Sequence, residues 1–184
     1  MKGFLLLLVV LVCVTNGRPE PNLTWFINDK ATELAGVRSE PHVMTNRLEI
    51  SPLTREHLNS TYKCQASNTK LINPQEKSVR LELNLKPTSV KIQYKPAKFK
   101  AETVYVVVCE AAGSRPPAQV TWFRDNRRFR RGKITEAANE TMVVSSLSFA
   151  PAPEDDGTRL RCQADNPMLP GTPLDDSFIL NVIC

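Results

Sequence analysis

The chain has 184 residues, with 24 lysines and arginines against 19 aspartates and glutamates for a formal net charge of +5, a length that suits one large or two small domains. Its five cysteines contain no C-x-x-C pair and it has N-x-S/T sequons at Asn22, Asn59 and Asn139. Together these argue against a zinc site and for an oxidising, secretory environment.

Met1 to Val14 reads MKGFLLLLVVLVCV, one positive charge before an apolar run and small polar residues, which is the pattern of a secretory signal peptide and is short for a membrane span. Leu23-Thr24-Trp25-Phe26 follows, then a turn at Asn28-Asp29-Lys30, and His42 to Asn46 leads into a strand with Leu48 and Ile50 facing inward. Tyr62 stands two residues before Cys64. From Val79 to Leu85, Val79, Leu81, Leu83 and Leu85 alternate with Arg80, Glu82 and Asn84, the pattern of a strand with one face on a core and one in water. Lys86-Pro87-Thr88 is a short connection, after which Val90 and Ile92 open a second segment.

In that segment Tyr105, Val107 and Cys109 share one strand face and Val104, Val106 and Val108 the other. Gly113, Pro116 and Pro117 interrupt the chain before Val120 and Trp122. Between Arg124 and Lys133 lie six positive charges, Arg124, Arg127, Arg128, Arg130, Arg131 and Lys133, opposed only by Asp125. The strand Met142 to Phe149 supplies Leu147 and Phe149, Asp156-Gly157 turns a corner, and Leu160 stands two residues before Cys162. A turn-rich loop runs from Asp165 to Pro173, and Phe178, Leu180 and Val182 form the closing strand. Cys184 is left without a partner in either segment.

The two segments repeat each other. Arg18-Pro19 and Arg115-Pro116 stand at the same offsets before Trp25 and Trp122. Cys13 and Cys109 precede those tryptophans by 12 and 13 residues, Cys64-Gln65-Ala66-Ser67-Asn68 echoes Cys162-Gln163-Ala164-Asp165-Asn166, and the cysteine separations are 51 and 53. Cysteine on one strand, tryptophan on the next and a late second cysteine form the signature of an immunoglobulin sandwich, whose indole packs on an inter-sheet disulfide. The prediction is an all-β chain of two tandem immunoglobulin-like β-sandwiches, residues 1–86 and 87–184, with bridges Cys13–Cys64 and Cys109–Cys162. Each bridge closes a loop of roughly 50 residues, worth about 4 kcal/mol. The core positions are Trp25, Tyr62, Trp122 and Leu160. Tyr62 takes the tyrosine-corner position, ring inside and hydroxyl bonded to backbone upstream, and Leu160 replaces it in the second domain without a hydroxyl. Residues 1–17 have two readings. Either they carry the strand of Cys13 in a domain without its first strand, or they are a signal peptide whose removal leaves Cys64 unpartnered.

The runs LNSTYKCQASNT (58–69), LELNLKP (81–87), GSRPPAQVTW (113–122), LSFAP (147–151) and EDDG with CQADNP (154–167) are similar to the insect Sidestep family of immunoglobulin-superfamily cell-surface proteins. The resemblance covers residues 9–183. It implies two consecutive C2-like domains behind a membrane-distal variable-type domain, part of the ectodomain of a single-pass membrane protein of axon guidance and cell recognition. Beaten path family proteins are the partners it implies.

Catalytic chemistry has little to stand on. His42 and His57 accompany no nucleophile motif, the cysteines are accounted for by disulfides rather than metal, and no cofactor motif is present. The acidic pairs Asp155-Asp156 and Asp175-Asp176 fit turn and surface roles, since neighbours on a strand point apart. The basic stretch Arg124 to Lys133 is either a solvated hairpin or a surface for a glycosaminoglycan or an acidic protein, with nucleic acid excluded for a secreted chain. Glycans are expected at Asn59 and Asn139, and less readily at Asn22, three residues before the core tryptophan. The expected function is extracellular recognition of a cell-surface or secreted protein, the membrane being reached only through parts outside this chain. A soluble immune-type binder or decoy and a passive spacer are the alternatives.

Overall fold

Period-two alternation of apolar side chains runs through most of the chain, and in the computed structural model, which describes residues 8–32, 35–40 and 43–183, those stretches are strands. They fall into two units, Met1–Leu83 and Asn84–Cys184. The first contains β1 (Val9–Thr15), β2 (Asn22–Ile27), β3 (Lys30–Thr32), β4 (Ala35–Glu40), β5 (Val43–Ile50), β6 (Thr61–Ser67) and β7 (Gln75–Arg80). One sheet has the order β1-β5-β4 and the other β3-β2-β6-β7. The second unit contains β8 (Ser89–Tyr94), β9 (Phe99–Lys100), β10 (Tyr105–Ala112), β11 (Gln119–Arg124), β12 (Arg127–Arg128), β13 (Lys133–Ala138), β14 (Met142–Phe149), β15 (Arg159–Asp165), β16 (Leu174–Ile179) and β17 (Val182–Ile183). Its sheets run β13-β14-β10-β8 and β12-β11-β15-β16, with β17 and β9 paired in parallel.

Both sandwiches are closed in the same way. Cys13 on β1 is bridged to Cys64 on β6, and Cys109 on β10 to Cys162 on β15. Trp25 and Trp122, in register with Cys64 and Cys162 on the neighbouring strand, are buried beside the bridges. A buried indole needs an acceptor for its N–H. Trp25 Nε1 donates to the Asn46 carbonyl at 3.2 Å and Trp122 Nε1 to Ser145 Oγ at 3.1 Å. Asn46 and Ser145 are the residues opposite Cys13 and Cys109 in the strand register, so the acceptor comes from the far sheet in each unit. The Asn46 side chain in turn donates to the Leu23 carbonyl at 2.9 Å. Tyr62 and Leu160 are buried at equivalent positions.

The units differ at one edge. β10 is paired on both sides, by β14 and by β8, and Val90 of β8 is buried. Among the described residues β1 pairs only with β5, and between β1 and β7 lies a cleft of about 180 Å³ lined in part by Leu11, Cys13, Trp25, Tyr62 and Val79.

Two local expectations are corrected. The final strand of the first unit is Gln75–Arg80, not Val79 to Leu85; Val79 is 47% exposed, and Leu85 makes a bridge with Arg115 inside the second unit. Strand pairing of β7 to β6 from Ala66 back to Thr61 sets that earlier register. The Tyr62 hydroxyl does not reach upstream backbone. Burial pushes its pKa up, the Ser60 hydroxyl pulling weakly the other way, and the oxygen has no partner of bonding geometry among the described residues. Cys184 and His42 lie outside the described residues.

Because an antiparallel strand bonds each neighbour through alternate residues, half of the β1 amides face an edge that no described residue pairs with. Amide hydrogen exchange is expected to show alternate fast and slow positions along Val9–Thr15, against continuous protection along the central part of β10. Uniform protection of β1 at the level of β10 would show that its outer edge is covered.

Candidate recognition surface

The six basic residues between Arg124 and Lys133 do not form one patch. Arg124 ends β11 and Arg127-Arg128 form β12, after a turn in which Asp125 takes a positive φ of 52°. Phe129 is buried and its N–H bonds the Trp122 carbonyl at 2.8 Å, so the chain dives inward between Arg128 and Arg130. It then crosses to the other sheet at Gly132 (φ 122°), where a Cβ would sit 2.5 Å from the Ser148 carbonyl oxygen; a side chain there has neither the conformation nor the room. Lys133 belongs to β13, opposite Ser148 and on the other sheet from Arg128.

Two of the six are also neutralised, correcting the expectation of six free surface cations. Asp155 is fully buried, not a surface turn residue, and its carboxylate pairs with both Arg124 and Arg131. Arg131 adds Glu154 at 3.7 Å and lies over the Phe129 ring. The other Asp155 oxygen accepts the Ala152 N–H at 2.8 Å within the 3₁₀ turn Pro153–Asp155. Burial alone would push this carboxyl up, but the Ala152 amide, the Arg124 hydrogen bond and the two arginine charges outweigh it and hold its pKa below the ordinary value. In the first unit the matching 3₁₀ turn is Arg55–His57. There His57 Nδ1 accepts the Thr54 N–H at 3.0 Å, and Ile27 stands where Arg124 stands. The first unit therefore replaces this ion network with an imidazole cap.

What remains exposed on the β12-β11-β15-β16 sheet is set by alternation. Val120, Trp122, Leu160 and Cys162 point inward, so Thr121, Phe123, Arg159, Arg161 and Gln163 point out. Register places Arg128, Phe123, Arg161 and Ser177 in one row across four strands and Thr121, Gln163 and Asp175 in the next. The Arg161 guanidinium lies 4.8 Å from the Phe123 ring centroid. The first unit repeats both rows. Ala31, Phe26, Lys63 and Ser78 form one and Thr24, Gln65 and Glu76 the other, with Lys63 Nζ 5.3 Å from the Phe26 centroid. Arg159 and Arg161 were not singled out in the sequence, although the alternation R-L-R-C-Q-A already sets them on the face away from Cys162.

The equivalent amides Asn68 and Asn166 fasten the loops at one end. Asn166 is fully buried and its Nδ2 donates to the carbonyls of Leu85 (2.7 Å) and Arg115 (2.8 Å), while Asn68 Nδ2 donates to that of Pro19 at 3.1 Å. Of the sequons, Asn22 is exposed at the head of β2, on the outward face with Thr24 and Phe26. Asn59 is exposed at the corner before β6. Asn139 is exposed in the β13–β14 turn, its Oδ1 accepting the Met142 N–H at 2.9 Å. Among the described residues, no group of three or more His, Cys, Asp or Glu is placed to hold a metal, and no helix is long and apolar enough to cross a membrane.

Replacing Asp155 with asparagine should destabilise the second unit by about 3 kcal/mol, the low end for breaking a buried ion pair because both arginines retain access to water. The depressed carboxyl stabilises the fold above the ordinary carboxylate range, and this contribution is lost as pH falls through about 4 and below. Urea unfolding against pH should thus show a steeper acid loss for the native chain than for Asp155→Asn. Parallel curves would remove the network from the stability of the fold.

Comparison with known proteins agrees with this architecture. Residues 83–172 match the CD80-like C2-set immunoglobulin domain and residues 8–68 an immunoglobulin domain. The limbic system-associated membrane protein of Gallus gallus is 30% identical over 158 residues, 86% of this chain and 43% of that protein, so the chain spans less than half of this relative. Hemicentin-1 of Mus musculus is 29% identical over 170 residues, 86% of this chain and 3% of its own length. Among solved structures, the crystal structure of Rst D1-D2 superposes with a TM-score of 0.68 at 16% identity, covering 95% of this chain and 92% of that one. The full ectodomain of mouse nectin-like molecule 4 gives 0.60 at 19%, covering 95% and 63%. Dpr2 Ig1-Ig2 in complex with DIP-Theta Ig1-Ig3 gives 0.56 at 21%, covering 96% and 59%. These structures share the fold. The chain carries two immunoglobulin domains in tandem.

Proposed function

We propose that the chain is an extracellular recognition module of a cell-surface receptor and acts by protein–protein binding through the outer faces of its β3-β2-β6-β7 and β12-β11-β15-β16 sheets. The observation that carries this reading is the repeat of outward-facing rows. Core positions recur between sandwiches because packing demands it. A solvent-facing phenylalanine under a cation, flanked by threonine, glutamine and an acid, is under no such demand, yet it stands in the same register in both units. Rigid sheets held by disulfides present such residues without the ordering cost of a flexible loop.

The Sidestep resemblance supports a role in axon guidance, in the ectodomain of a single-pass membrane protein, with Beaten path family proteins as the first partners to test. Similarity to the limbic system-associated membrane protein supports the general cell-surface role. Glycans at Asn59 and Asn139 fit this setting, and the exposure of Asn22 adds a third acceptor.

The test is a pairwise screen of the secreted chain against cell-surface ectodomains, the Beaten path family included. At least one partner should be retained. Phe123→Asp should weaken it tenfold or more, and Ile134→Asp, at an exposed position on the other sheet, should not. Loss with Ile134→Asp alone would move the surface to the opposite sheet, and no retained partner at all would favour a spacer. Peptide mapping of the secreted protein should find sugar on Asn22, Asn59 and Asn139; an empty Asn22 would leave the first unit's face open.

A further inference from the structure

The two sheet faces share their framework but not their electrostatics. In the first unit the row has one cation, Lys63, and it is neutralised by Asp29 at 3.2 Å and Glu76 at 3.7 Å; Gln65 is tied to Glu76 at 3.0 Å. The same face carries the Asn22 sequon, where a glycan would stand over it. In the second unit Arg128, Arg159 and Arg161 face outward and make no ion pair among the described residues. None of that unit's sequons lies on this sheet, since Asn139 is in the β13–β14 turn. Arg161 Nε is buried with no hydrogen-bond partner among the described residues, a donor left costly until something accepts from it. Beside it opens a groove of about 360 Å³ lined by Asp125, Asn126, Arg159, Arg161, Asp175 and Ser177.

We infer that this groove docks an acidic, extended segment of a protein partner, with one partner carboxylate received by Arg159 and Arg161 beside Phe123; the inference rests on the recognition reading above. Residues two apart on a strand are about 7 Å from each other on one face, so the two guanidinium groups can converge on a single carboxylate. The planar fork of Arg161, already stacked on Phe123, offers it a bidentate geometry. The groove's own acids decide the class of anion. Asp125 and Asp175 repel the repeated charges of a sulfated polysaccharide, but with Asn126 and Ser177 they can accept the N–H and hydroxyl donors that flank a carboxylate in a polypeptide. Three strands some 20 Å long and about 4.8 Å apart, with the two-residue β12 at their edge, make a face at the small, transient end of protein interfaces.

The full chain, labelled with ¹⁵N, is titrated with a capped octapeptide of threonines carrying one central Glu, and separately with a heparin octasaccharide. The expected result is saturable movement of the Arg159 and Arg161 Nε–Hε signals and of β11, β15 and β16 amides by the peptide. Arg159→Gln, an exposed change that leaves the core intact, should weaken binding at least fivefold. Arg161→Lys, which keeps the charge and loses the fork, should do the same, and Lys133→Gln on the other sheet should have no effect. Peptide shifts that are absent, unsaturable or insensitive to Arg159→Gln and Arg161→Lys overturn the proposal. So does tighter heparin binding centred on Arg127, Arg130 and Lys133, which makes the surface a polyanion site instead. A partner retained in the ectodomain screen and sensitive to Phe123→Asp but not to Arg159→Gln would leave the recognition reading standing and sink the acidic ligand alone.

Discussion

Everything in this molecule depends on the crossing of a disulfide and an indole between two sheets. A domain of under 100 residues buries too little apolar surface to fix two sheets face to face by the hydrophobic effect alone. The bridges Cys13–Cys64 and Cys109–Cys162 supply the missing constraint, and Trp25 and Trp122 fill the space beside them. The indole N–H then becomes a buried donor that only the far sheet can satisfy, and Asn46 and Ser145 do so by different chemistry. A backbone carbonyl serves in one unit and a hydroxyl in the other. The requirement is the acceptor's position, opposite the first cysteine, and not its residue type.

Once the sheets are fixed, alternation makes every strand two-sided, and the repeat can be followed separately on each side. On the inner side the units agree because packing leaves few solutions. At the ends of the sheets they diverge. The second unit buries the Asp155 carboxylate against Arg124 and Arg131, and the first uses His57 on a matching 3₁₀ turn, its Nδ1 accepting the Thr54 N–H. That exchange has a consequence for the surface. By drawing two arginines into its own structure, Asp155 removes charge from the edge and leaves the outward arginines of β12 and β15 as cations without an ion pair among the described residues.

The fold was legible because its signals are local and redundant: two C…W…C frames, period-two alternation, and turn residues between them. What was not legible depends on register between distant strands. The run from Arg124 to Lys133 reads as one patch when counted along the chain, yet Phe129 turns inward and Gly132 carries the chain to the other sheet, so sequence neighbours separate. Conversely Arg161 is far from Phe123 in sequence and directly opposite it in space. Asp155 reads as one of two turn acids; only the packing of the Pro153–Asp155 turn against β11 reveals that one is buried and the other exposed. Val79 misled for the opposite reason, since alternation identifies a strand but not where its pairing stops.

The same distinction bears on where recognition resides. A charge count favours the β11–β12 hairpin and its continuation, but net charge only steers an encounter, and its pull is screened beyond about 8 Å at physiological ionic strength. Specific docking needs groups whose geometry is fixed before the partner arrives. Arg161 meets that condition, held on the Phe123 ring and by its place in the centre of a four-stranded sheet. Arg130, between the last residues of β12 and the crossing at Gly132, belongs to no strand. Fewer charges, in register and on a rigid sheet, make the more selective surface, because charge that is not held in place can steer an encounter without fixing its geometry.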